Sequence, residues 1–169
     1  MAKRRAAILL EDLYEELEFW YPYYRLQEAG FDVVIVAPRK GRTYASKHGY
    51  PATSEALPGE VDVEGLDILS VPGGFAPDRL RRYPEVLDLV ARAARKGVVV
   101  GTICHAAWVA ISAGITRGRR MTCVAAIKDD LVNSGATYVD EPLVVDGKIV
   151  SSRTPADLPV FVKGMLDAV

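Results

Sequence analysis

Short apolar runs alternate along this chain with stretches whose apolar residues fall at helical spacing. Residues 6–10 (AAILL), 31–37 (FDVVIVA), 66–71 (LDILSV) and 98–100 (VVV) have strand length and little room for a polar face, as buried strands do. Between them, Trp20, Tyr23, Tyr24, Leu26 and Ala29 mark a helix over 19–29 that Gly30 ends, and Pro22 predicts a kink or a late start. Val86, Leu87, Leu89, Val90, Ala93 and Ala94 line one side of a helix over 84–96, with Arg92, Arg95 and Lys96 toward its end and Gly97 as its stop. Strand, helix and strand joined by short connections predict right-handed parallel units, hence an α/β fold with a mostly parallel sheet. Residues 41–60 mix Gly, Ser, Thr and Pro but keep Tyr44 and Tyr50, and so predict a hairpin or extended excursion rather than a linker.

The second half continues the pattern. Gly101 and Thr102 are expected to break the strand that begins at Val98, and residues 106–113 (AAWVAISA) to form a helix, which leaves Cys104 at a strand-to-helix turn. A short strand over 121–124 carries Cys123 among apolar neighbours, as a core residue. Lys128-Asp129-Asp130 precedes a short helix stopped near Gly135, and residues 143–150 read as a hairpin with a type I′ turn at Asp146-Gly147. The last helix is expected to open at Thr154, with Pro155 first and Asp157 completing a near capping box, and to lose one hydrogen bond at Pro159.

At 169 residues the chain suits one domain over 1–169, and no repeat or low-complexity tract interrupts it. Half of the residues are apolar and a quarter charged, and the formal net charge is −1. That balance gives no reason to expect nucleic acid or a membrane surface as partner. The basic flank Lys3-Arg4-Arg5 reads as solvated. Two cysteines with no secretory leader and no long apolar run fit free thiols in a reducing cytoplasm.

Several chemistries are excluded by inventory. Cys104, Cys123, His48 and His105 are not in ligand spacing, so no metal centre is expected, and no cofactor is signalled because both phosphate-binding glycine motifs are missing. His48 reads as a loop residue. A thiol beside an imidazole remains. At a strained turn before a helix, free N–H groups favour a thiolate at Cys104, and a sharp bend can bring His105 onto it although adjacent helical residues do not face each other. One carboxyl of the acidic stretch Glu11, Asp12, Glu15, Glu16 and Glu18 can lean over the sulfur from the end of the first strand. Backbone N–H groups of the Gly73-Gly74 turn are candidate donors to an oxyanion, and Asp78 is the acid nearest that turn for orienting His105.

Taken together, Glu15-Glu16-Leu17-Glu18, Lys47-His48-Gly49-Tyr50, Val71-Pro72-Gly73-Gly74-Phe75-Ala76-Pro77-Asp78, Ile103-Cys104-His105, Ile127-Lys128-Asp129-Asp130 and Pro155-Ala156-Asp157-Leu158 resemble the PfpI intracellular protease family, within the superfamily that includes DJ-1. The resemblance implies a flavodoxin-like three-layer sandwich with helices on both faces of the sheet. It implies Cys104 as nucleophile, Glu15 as the protonated carboxyl on its sulfur, and Gly73 and Gly74 as oxyanion donors. It also implies a homodimer or hexamer in which Asp78 of a neighbouring subunit completes a triad with His105. Family members proposed as proteases carry Glu where this chain has Asp78, which argues against the protease assignment more than against a reactive cysteine. Glutamine amidotransferases of the same fold need a histidine after His105, and none follows. The implied activity is thiol addition to the carbonyl of a peptide, a glycated group or a small carbonyl compound, as peptidase, deglycase or glyoxalase. The alternative is a stress sensor or chaperone without turnover, in which Cys104 is oxidised.

Overall fold

The computed structural model describes residues 4–169; Lys3 of the basic flank lies outside them, and Arg4 and Arg5 are exposed. Strand β1 (Arg5–Leu9) leads into helix α1 (Glu16–Glu28) and strand β2 (Asp32–Val36). A small antiparallel hairpin, β3 (Thr43–Ala45) with β4 (Pro51–Thr53), fills the Tyr-bearing excursion. Strand β5 (Ile68–Val71) is followed by helices α2 (Ala76–Leu80) and α3 (Pro84–Arg95), then by β6 (Val99–Ile103) and α4 (Ala107–Ser112). The chain continues through β7 (Arg120–Met121), α5 (Lys128–Asn133), β8 (Thr137–Tyr138), the hairpin strands β9 (Val144–Asp146) and β10 (Ile149–Ser152), and α6 (Leu158–Asp167).

The main sheet has the order β2-β1-β5-β6-β10-β9, and only the last pair is antiparallel. The five parallel strands, taken in chain order, lie 2-1-3-4-5, which is the flavodoxin-like arrangement. The crossover from β1 to β2 runs one way along the sheet and that from β5 to β6 the other, so right-handed connections put α1 and α3 on opposite faces. Accordingly α1 packs with α6, and α3 packs with α4. The three-layer expectation holds. Among the described residues no helix is long and apolar enough to cross a membrane.

Four local expectations are corrected. Strand β6 runs straight through Gly101 and Thr102, because α6 lies so close that a Cβ on Gly101 would fall 2.2 Å from Met165 Sδ; here glycine serves packing rather than strand termination. Helix α1 begins at Glu16 and continues through Pro22, whose buried ring joins the inward face formed by Glu18, Phe19 and Leu26. The hairpin turn has positive φ at Gly147 but not at Lys148, the sign pattern of type II′ rather than type I′. At the last helix, Pro155–Asp157 forms a separate 3₁₀ turn and α6 starts at Leu158, so Pro159 falls in the first turn, where no N–H is needed. The capping box is only half made: the Thr154 side chain caps nothing, while the Asp157 carboxylate accepts from the Thr154 backbone as well as from the Arg153 backbone and guanidinium.

Candidate active site

The turns leaving β1, β5 and β6 converge at the carboxyl end of the sheet, beside the point where strand order reverses between β1 and β5. In open α/β sheets that is where ligands bind. A cavity of about 150 Å³ admits a benzene-sized molecule; the pocket here measures about 170 Å³ and is lined by Glu15, Glu18, Lys47, Gly74, Phe75, Cys104, His105 and Pro155. Two larger clefts of about 400 Å³ elsewhere have neither cysteine in their linings.

Cys104 is the first residue after β6 and opens a 3₁₀ turn, Cys104–Ala106, that feeds α4. Its φ of 61° puts it in the left-handed region, a strain of about 1–3 kcal/mol for a side-chain-bearing residue. The sulfur receives backbone hydrogen bonds from His105 and Gly74, which stabilise negative charge there. The imidazole of His105 folds back onto the same atom, with Nδ1 3.2 Å from Cys104 Sγ. The expected bend therefore does bring the adjoining pair together. Burial and the Lys47 ammonium both lower the pKa of His105, so its ring is neutral at neutral pH and able to accept a proton.

The carboxyl beside the sulfur is Glu18, and this corrects the expectation for Glu15. Glu15 is the N-cap of α1: its Oε1 accepts from Leu17 N–H at 3.3 Å and its Oε2 pairs with Lys47 Nζ at 3.2 Å. Glu18, one turn further on, is fully buried, interacts directly with the Cys104 thiol, and accepts from Gly73 N–H at 2.7 Å through Oε2. Its other oxygen, Oε1, is buried without a hydrogen-bond partner. A signal for this was present in the chain: 18, 22 and 26 fall on one helical stripe with Phe19 beside it, so once the helix begins at Glu16, Glu18 points inward and Glu15 caps.

The charge state also differs from expectation. Burial above all pushes the Glu18 carboxyl up to about 8, which leaves it protonated at neutral pH. The Cys104 thiol is pushed up to about 12, first by burial and then by the negative charge Glu18 carries when ionised, against the two backbone donors. Burial thus works against the expected thiolate, and the sulfur lies beside a carboxyl and an imidazole that are both neutral at neutral pH.

The glycine turn divides its two expected donors. A Cβ on Gly73 would lie 2.4 Å from Glu18 Oε2 and 2.8 Å from Cys104 Cβ, so only glycine lets these groups meet. Its N–H is occupied by Glu18 and is not free for an oxyanion. Gly74, at φ +77°, turns its N–H toward the sulfur instead. Asp78 sits on α2 in an ion pair with Arg82, and among the described residues it forms no hydrogen bond or ion pair with His105. Sequence reasoning missed Lys47 as well as Glu18. Lys47 reaches the pocket from the β3–β4 loop, where its backbone N–H donates to Tyr14 O at 2.9 Å. His48 beside it is exposed and bonds Glu16, as a loop residue would. Cys123 is buried in the core. Among the described residues no three His, Cys, Asp or Glu side chains converge as a metal site.

A family model described as "DJ-1/PfpI family" matches residues 4–168. A protein of Pyrococcus abyssi described as a deglycase is 40% identical over 94% of this chain and 95% of its own. A putative cysteine protease of Bacillus subtilis is 34% identical over 94% of each. Among solved structures, a two-domain protein of Anabaena variabilis with DJ-1/ThiJ/PfpI-like and ferritin-like domains superposes with a TM-score of 0.95 at 37% identity, over 98% of this chain and 48% of that one.

Proposed function

Because this chain belongs to the DJ-1/PfpI family, we propose that it is a Cys104-dependent hydrolase acting on a carbonyl carbon, and specifically a deglycase for amines modified by small dicarbonyls such as methylglyoxal. The observation that carries the reading is the imidazole nitrogen 3.2 Å from a sulfur held at a left-handed elbow, at the wall of a pocket. The small volume of that pocket, about 170 Å³, suits a small carbonyl fragment better than an extended peptide. The deglycase relative is also the more similar of the two named above.

In the shared first step, Cys104 Sγ attacks the carbonyl carbon, a C–S bond forms, and the carbonyl π pair moves to oxygen. The thiol proton passes to His105 Nδ1, which is neutral beforehand. The backbone N–H groups of Gly74 and His105, which donate to the sulfur before attack, are the nearest donors that can turn to the developing negative charge as the C–S bond forms. Glu18 stays protonated and adds no charge beside the nucleophile.

The test is release of free amine from a methylglyoxal-modified amino acid, run beside a peptide substrate. Turnover of the modified amino acid that Cys104→Ala abolishes is the expected result; cleavage of the peptide alone would assign a peptidase instead. If neither is consumed while dilute peroxide adds oxygen to Cys104 alone, the hydrolase reading is wrong and a redox sensor takes its place.

A further inference from the structure

An imidazole that is to take a proton in one direction needs a group that holds its ring. Asp78, the acid expected there, is engaged by Arg82. What meets the His105 ring is Trp108, three residues on, with ring centroids 5.2 Å apart and planes tilted by 56°. The indole is itself clamped. Its Nε1–H donates to Asp130 Oδ2 at 2.7 Å, the last acid of the Ile127-Lys128-Asp129-Asp130 motif, which the proposed chemistry otherwise leaves without a role. The Arg81 guanidinium lies 5.6 Å over its ring and is tied in turn by Nε to Ser112 Oγ at 2.9 Å.

We propose that Trp108, locked by Asp130 and Arg81, is the positioning residue that keeps His105 Nδ1 on the Cys104 sulfur. Two physical effects follow. A fixed aromatic wall removes rotamer freedom from the imidazole, so the 3.2 Å contact is held rather than visited. Once the proton has moved, the imidazolium lies against the electron-rich indole, which favours the charged ring. The charged or titratable groups around His105 are Cys104 on its own turn, Glu15 and Glu18 from α1, Lys47 from the β3–β4 loop, and Arg81 and Asp130 behind the indole.

This inference deepens the hydrolase reading, but its test does not depend on turnover. Cys104 alkylation by iodoacetamide is followed from pH 5 to 9 while the imidazole resonances are titrated, with exposed His48 as internal control. Trp108→Leu is expected to slow alkylation about tenfold and to shift the His105 titration to lower pH, leaving His48 unmoved. Trp108→Phe keeps a ring and is expected to recover most of both. Asp130→Ala, on the outer side of the indole, is expected to give the same changes in smaller measure, and it stands in should Trp108→Leu fail to fold. Wild-type alkylation and His105 titration in Trp108→Leu, or in Asp130→Ala if that is the variant that folds, overturns the proposal. Loss of deglycase turnover in every assay, with these shifts intact, would sink the substrate assignment and leave the positioning role standing.

Discussion

Glu18 is a carboxyl whose environment makes the neutral form the stable one, and that has a sign that can be measured. Below its ordinary value of 4.5 it is protonated whether the chain is folded or not, so it imposes no penalty. From there up to about 8, the unfolded chain releases this proton while the folded protein keeps it. Stability is therefore lost as pH rises through that window, at a limiting slope of about 1.4 kcal/mol per pH unit, and levels off above it. Glu18→Gln has no proton to release, so its urea-unfolding free energy is expected to gain on that of the wild type between pH 5 and pH 8; parallel curves would contradict the burial argument. The same substitution tests the sulfur. Above pH 8 the wild-type Glu18 charge holds the thiol back, whereas in Glu18→Gln iodoacetamide alkylation should keep rising with pH. That an acid of this stretch would face Cys104 was legible in the sequence. Which acid was not, because the choice depends on where α1 starts, and a start at Glu16 makes Glu15 a cap and Glu18 an inward residue.

At the scale of elements, the turn after β5 is the least forgiving connection in the site. Gly74 and Gly97 share a φ of +77°, yet a Cβ on Gly74 would lie 2.5 Å from Glu15 N and 2.6 Å from Leu13 O, while one on Gly97 would meet nothing within 4 Å. Gly97→Ala is thus expected to show the backbone strain alone, about 1–2 kcal/mol. Gly74→Ala carries that strain plus overpacking against backbone that cannot yield, about 1–3 kcal/mol more. Comparing the two melting temperatures checks this, and equal losses would mean that the contact between the glycine turn and the start of α1 is not tight. The helical stripe of α3 and the buried strand β6 were readable from apolar spacing, since Val86, Leu89, Val90 and Ala93 are buried on α3 and Val99 and Val100 in β6. The extent of β6 was not, because Gly101 looks like a terminator until Met165 and Phe161 are seen pressed against it.

At the scale of the whole molecule, one contiguous core joins β1, β5 and β6 to the helices of both layers, and the turns that carry Gly74 and Cys104 meet the first turn of α1, which carries Glu18, at one end of the sheet. Within the chain Asp78 pairs with Arg82 and Trp108 holds the His105 ring; at this scale we propose a homo-oligomer in which Asp78 of a neighbouring copy adds a second hold on His105. Asp78→Ala is then expected to slow turnover about tenfold. Mixing Asp78→Ala subunits with Cys104→Ala subunits should restore part of the activity, because mixed assemblies contain sites with both groups; no recovery in verified mixed assemblies would refute the shared site. The order of apolar runs and helical stripes, by itself, determined an α/β fold with a mostly parallel sheet and placed Cys104 at a strand-to-helix bend, because periodicity and turn chemistry are local and survive without knowledge of neighbours. The tertiary structure alone decided that Glu18 rather than Glu15 faces the sulfur, that Gly73 N–H is already taken, and that burial opposes the thiolate. Each of these depends on groups from separate strand ends meeting out of water, where burial and mutual charge outweigh the intrinsic preference of any single residue.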